Sequence, residues 1–159
     1  RAPDHAWLRP WRFLTIEVEA RAALGAVLER SLLRREPEAD AAARDKARKA
    51  PLRAPLLVVV FARLQEHPKV PAQEQRLSAG CAAHALLLAA EAEGYAGVWR
   101  TGGAAYDPLV VHELGGADNE EIVAFIYLGT RDGNGKALPS LAVDAFVSPW
   151  HGFDREESA

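Results

Sequence analysis

No methionine occurs in the 159 residues, so Arg1 is not an encoded start, and a natural N-terminal piece is expected to precede it. Cysteine occurs once, at Cys81. A single thiol excludes an internal disulfide framework and fits a reducing, cytoplasmic setting. Long hydrophobic runs are missing too. The longest, residues 56–62, falls far below the ~20 residues needed to cross a bilayer. There is no excess of positive charge: the net charge is -3, which gives no electrostatic case for nucleic acid or an anionic membrane. With 49% hydrophobic and 26% charged residues, the chain reads as a globular protein of one domain, residues 1–159.

The motifs of several large enzyme classes are also missing. There is no Walker loop, no Gly-x-Gly-x-x-Gly and no Gly-x-Ser-x-Gly elbow. His5, His67, His84, His112 and His151 are scattered, and no pair has the helical spacing of a metal site, so no metal is expected.

Several features are present. Residues 1–13 hold two prolines, two tryptophans, a histidine and several arginines. Pro3 and Pro10 bias their predecessors away from helix, so this stretch is a loop feeding a strand. Aromatic faces and planar guanidinium forks together suit a flat anionic ligand. Strands are predicted over residues 11–17, 55–63, 95–101 and 121–128, the second and fourth as buried β-branched runs. Helices are predicted over residues 18–35, 38–49, 71–93 and 108–114. The second is alanine-rich and charged, an exposed excursion and the one candidate cover for a site. The third is apolar nearly all round, which predicts a central helix with Cys81 and His84 packed in the core. Gly94 is placed to cap it in the left-handed region. Helical connections between buried strands argue an α/β or α+β sandwich. Near the end, Phe146, Val147 and Trp150 are apolar anchors on a largely irregular tail, which predicts contact with a partner. At residues 99–102, Trp-Arg-Thr-Gly ends a strand in a donor-rich turn, where glycine lets backbone N–H groups approach a ligand.

Seven short motifs fall in a specific order: Arg1-Ala2-Pro3-Asp4-His5, Arg9-Pro10-Trp11-Arg12-Phe13, His67-Pro68-Lys69-Val70-Pro71, Glu74-Gln75, Ser78-Ala79-Gly80-Cys81-Ala82, Gly97-Val98-Trp99-Arg100-Thr101-Gly102 and Tyr127-Leu128-Gly129-Thr130. Together they resemble the small bacterial nitroreductases of the flavin-dependent nitroreductase superfamily. The high alanine and arginine content agrees with a GC-rich bacterial genome.

The resemblance implies an α+β nitroreductase-like sandwich, with a central mixed β-sheet flanked by helices, forming a domain-swapped-type homodimer. It implies FMN held between subunits, NAD(P)H as hydride donor, and ping-pong reduction of nitroaromatic, quinone or similar small-molecule acceptors. By the matching motifs, Arg1, His5, Trp99, Arg100 and Thr101 contact FMN. Ala89, Ala90, Glu91, Ala92, Glu93 and Gly94 fall in the stretch assigned to the nicotinamide nucleotide. No catalytic side chain is implied, because N5 of FMN carries the hydride. The tail, residues 130–159, reaches onto the partner. The family's opening helices and its phosphate-gripping Arg-Arg-Ser segment do not precede Arg1 in this sequence. The expectation is therefore an N-terminally incomplete chain with weak FMN affinity. Two alternatives stay open: a non-catalytic flavin-holding or dimerising module, and a different flavin reaction such as dehalogenation or flavin fragmentation.

Overall fold

The structure, a computed structural model, describes residues 1–133, 137 and 139–152. Its frame is one sheet of four strands: β1 (Trp11–Glu17), β2 (Leu56–Arg63), β3 (Tyr95–Arg100) and β4 (Glu120–Thr130), in the order β1-β2-β4-β3. Helices α1 (Ala20–Arg35), α2 (Ala41–Lys49), α3 (Ala72–Ala92) and α4 (Pro108–Glu113) fill the connections. The α+β sandwich stands, with one correction. Every strand pairing among the described residues is antiparallel, so the sheet is not mixed. The α3 crossover does set β2 and β3 parallel, as a helical connection should. However, β4 inserts between them and pairs antiparallel with both.

Each face of the sheet carries its own core. On one side Leu57, Val59 and Phe61 of β2 meet Leu24 and Val27 of α1, with Val110 of α4 and Phe125 of β4. On the other, Val58 and Val60 meet Ala83 of α3, with Ala124 and Ile126 of β4. The period-2 alternation of β2 thus serves both faces, as its continuous apolar run requires. A register shift occurs after Val60, which faces Ala124, while Phe61 faces Ile122. The extra residue, Val123, is a bulge. It turns Ile122 to the same side as Phe125, although they lie three apart.

The element ends follow local chemistry. Asp40 caps α2 by accepting from the Ala43 N–H at 2.7 Å, which starts that helix later than its charge pattern alone suggests. Asp107 caps α4 through the Leu109 N–H at 3.0 Å, with Pro108 in the first position. Gly25 on α1 lies against the backbone carbonyl of Arg48, an approach only a residue without Cβ allows.

One end of the sheet is tied by a buried carboxylate. Glu120, whose side chain is 1% exposed, takes Arg12 of β1 at 2.6 and 2.8 Å and Arg63 of β2 at 3.1 Å, and accepts from the Ala117 N–H at 3.1 Å. The Arg12 guanidinium also stacks 4.2 Å above the Phe61 ring.

α3 departs from its expected role. It buries a stripe of small residues, Ser78, Ala79, Ala82, Ala83 and Ala90, against the sheet. Cys81 and His84 are exposed rather than packed, and Leu77 and Leu88 are 58% and 55% exposed. Residues 77, 81, 84 and 88 form one helical stripe. The small residues, with Leu86 and Leu87 packed beside them, seat the helix and leave the stripe of residues 77, 81, 84 and 88 facing outward. The tail past β4 includes a short 3-10 turn at Val143–Ala145, and Leu141, Phe146 and Val147 are exposed. Residues 134–136, 138 and 153–159 of the expected partner-contacting tail lie outside the described residues.

Candidate functional site

The N-terminal loop is held in a strained shape. Ala6, Trp7 and Arg9 all have positive φ, at 57°, 56° and 47°. For residues with a Cβ this region is unfavourable, and it persists only where contacts enforce it. Three contacts do so. The Asp4 carboxylate accepts from the Arg9 N–H at 3.1 Å, Gln65 donates to the Leu8 carbonyl at 3.2 Å, and His5 Nδ1 meets Glu74 Oε2 at 2.7 Å. The last contact pins the loop to the first turn of α3. Arg1 is exposed and makes no ion pair among the described residues.

Gln75 fixes the same end from within. Its side chain is buried, accepts from the Gln65 N–H at 2.9 Å, and donates to the carbonyls of Gln65 and Val70 at 2.8 and 3.1 Å. Sequence reasoning gave Gln75 no such part. A polar residue beside an exposed glutamate at a helix start carries no signal of burial.

Six residues along α3, the Trp99 indole reaches the helix. A Cβ built on Gly80 would stand 3.9 Å from Trp99 Cη2. Trp99 itself is 37% exposed, on the same face as the bare leucines. His5, Glu74, Gly80 and Trp99 therefore share one surface, an open shelf rather than an enclosed cavity.

Arg100 goes the other way. As its strand neighbour, it projects from the opposite face, and its guanidinium lies 5.8 Å from the centre of the Tyr127 ring. Thr101 and Gly102 continue from it into a turn, with Gly102 at φ 89°. So of the three residues predicted together at 99–101, Trp99 faces α3, while Arg100 and Thr101 line a cleft of about 650 Å³ between α1, α2 and the sheet. Leu28, Leu32, Phe125 and Tyr127 form apolar parts of its wall, and Arg35, Lys46 and Arg53 join Arg100 at its polar edge. Burial pushes the Tyr127 phenol above its ordinary pKa, and nearby Arg100 and Arg53 partly offset this. The sequence offered one clue to the cleft, the charged helix α2 read as a cover.

Residues 89–94 occupy the far end of α3. The helix rises ~1.5 Å per residue, so Glu91 stands roughly 25 Å from Glu74. Gly94 has φ 85° and closes the helix as expected, and Arg131 lies 3.5 Å from Glu91. One chain therefore does not bring this stretch to His5. No group of three or more metal-ligating side chains occurs among the described residues, and no described helix is long and apolar enough to cross a membrane.

This arrangement has relatives. The Nitroreductase family matches residues 1–130, and the chain belongs to that family. It is 46% identical over 130 residues to the Escherichia coli (strain K12) protein named "Putative NAD(P)H nitroreductase YdjA", a match covering 82% of this chain and 70% of that one. Its fold is similar to that of a nitroreductase-like family protein from Bacillus cereus, with a TM-score of 0.77 and 22% identity over 95% of this chain and 79% of the other. The FMN and NADPH-dependent nitroreductase NfnB from sphigopyxis sp. strain HMH follows at a TM-score of 0.72 and 17% identity, over 96% of this chain and 85% of that one.

Proposed function

We propose that the chain is the subunit of an FMN-dependent oxidoreductase that takes a hydride from NAD(P)H and passes it to nitroaromatic, quinone or similar acceptors. Membership of the Nitroreductase family supports the class. The observation that carries the reading is the edge of the Trp99 indole reaching α3 beside Gly80, with the His5–Glu74 contact at the start of the same helix. A flat ring system fits such a shelf. The helix offers no Cβ at Gly80, the indole supplies an apolar edge, and His5 supplies a polar contact at one end. FMN, when bound, supplies the hydride-accepting N5. This chain's residues orient it: Trp99 limits its position along α3, the Thr101–Gly102 turn offers donors beside it, and Arg1 supplies a cation. Residues 89–94 serve the nicotinamide nucleotide from a second copy, given their distance from His5 within one.

A homodimer completes the site. Leu77, Leu88 and Tyr95 leave an apolar face on α3 and the start of β3, each more than half exposed. A monomer rarely shows such a contiguous patch. A second copy covers it, aided by the tail from residue 130 onward. Residues 1–159 act as one domain in this reading, in the cytoplasm.

The test is spectroscopic. Purified protein titrated with FMN should give a protein-bound flavin spectrum that bleaches on anaerobic addition of NADPH or NADH and recovers with a quinone. Trp99→Ala should weaken FMN binding by about 10-fold, the loss of one aromatic contact of ~1–1.5 kcal/mol. A colourless dimer that takes up no FMN overturns the enzyme reading and leaves a dimerising module.

A further inference from the structure

A cleft lies on the face of the sheet opposite to the α3 shelf, where Arg100 turns away from Trp99. Its volume, about 650 Å³, is that of a small-molecule site. Its apolar wall is aromatic and aliphatic, with Phe125 and Tyr127 two apart on β4 and Leu28 and Leu32 of α1 among its lining. Its edge is strongly one-signed. Arg35, Lys46, Arg53 and Arg100 converge there against a single carboxylate, Glu36, which stands 3.9 Å from Arg35. Lys46, Arg53 and Arg100 have no acidic partner among the described residues, whereas their neighbours on α2 do: Arg48 and Lys49 both pair with Asp45. Cations left unpaired around an apolar pocket attract an anion with an apolar body. Thr101 and Gly102 belong to this wall, so the cleft adjoins and shares residues with the segment read as running along the flavin.

We infer that this cleft takes the phosphorylated adenosine end of the hydride donor and selects NADPH over NADH through the 2′-phosphate. The inference rests on the flavin reading above. The purine lies against the apolar wall, and the dianionic phosphate meets the Arg53 and Arg100 guanidinium groups and the Lys46 ammonium, which have no acidic partner among the described residues. NADH presents a hydroxyl at that position and leaves the cations uncompensated. Arg35 is seated by Gly103, whose missing Cβ makes room for its guanidinium.

The experiment compares adenosine 2′,5′-bisphosphate with adenosine 5′-monophosphate by calorimetry on the FMN-loaded protein, without turnover. The bisphosphate should bind about 10-fold tighter or better, with a steeper fall in affinity as salt rises. Lys46→Gln combined with Arg53→Gln should abolish that preference, while Lys49→Gln, one turn away and outside the cleft, should keep it. In turnover, the double variant should raise KM for NADPH about 10-fold more than KM for NADH. Equal binding of the two nucleotides, or a preference that survives the double variant, overturns the inference. A protein that discriminates the nucleotides yet oxidises neither NADPH nor NADH with FMN present overturns the proposed function, while the nucleotide assignment of the cleft stands.

Discussion

Replacing Glu120 with glutamine removes one charge from the tie between β1, β2 and β4 while keeping its shape. The carboxyl is held down from its ordinary 4.5 to about 2, chiefly by the Arg12 hydrogen bonds, against the opposing cost of burial, with help from the Ala117 N–H and Arg63. At ~1.36 kcal/mol per pH unit, that displacement is worth about 3 kcal/mol of folding stability. Arg12 and Arg63 are 26% and 49% exposed and regain some hydration when the charge goes, so the expected cost of Glu120→Gln at neutral pH is about 2–3 kcal/mol. The native pKa lies below the unfolded one. The contribution is therefore complete above about pH 4.5 and disappears as pH falls toward about 2, with more than half gone by roughly pH 3. Urea unfolding of both proteins at pH 7, 5, 4 and 3 reads this directly. The gap between wild type and variant should shrink steadily toward acid. A gap of the same size at pH 7 and pH 3 would refute the argument, because a packing defect alone has no reason to titrate.

Three further outcomes follow from packing and capping. Gly25→Ala places a methyl group against the Arg48 carbonyl, so α1 and α2 must separate; a loss of about 2 kcal/mol is expected in chemical denaturation, together with weaker bisphosphate binding as Lys46 shifts. Asp107→Ala removes the cap of α4, at a cost of about 1–2 kcal/mol and several degrees of melting temperature. Burial raises the Asp107 carboxyl, but Ser31, the Leu109 N–H and the arginines at 34 and 35 together lower it further, so its share of stability should fade as pH drops below the carboxylate range. Leu88→Ser should leave the subunit folded, since that side chain is 55% exposed, but should weaken self-association in sedimentation experiments.

Strand and helix positions were legible because each rests on local pattern. β1 runs Trp11–Glu17, as its alternation predicts, and β2 is the buried run between prolines. Burial of α3 was not legible. An all-round apolar helix has no single preferred face, and only the sheet decides that the alanine stripe with Leu86 and Leu87 makes the contact while Leu77 and Leu88 stay bare. The antiparallel sheet escaped for a related reason, since a helical crossover fixes the relative direction of two strands but not which strand separates them. Of the site, the motif around Trp99 was legible as a segment but not as two faces. Arg53 and Lys46 carried no signal, because convergence of cations from α2, its following turn and β3 is a property of the fold.

The position of β3 reconciles the two halves of the site. As an edge strand it alternates between the α3 face and the face that carries the cleft, and it ends in a turn with a glycine at positive φ. Successive residues therefore address different surfaces: Trp99 the α3 shelf, Arg100 the cationic cleft, with Thr101 and Gly102 at the crossing. In the proposed cycle, hydride donor and flavin must meet while the donor's charged end is held elsewhere, and a strand end with this geometry separates those tasks over two residues. It follows that Trp99→Ala and Arg53→Gln should act on different ligands. The first should change FMN affinity with little effect on nucleotide discrimination, and the second the reverse. Were both variants to alter FMN and nucleotide binding in equal measure, shelf and cleft would be one site, and the division of labour along β3 would be wrong.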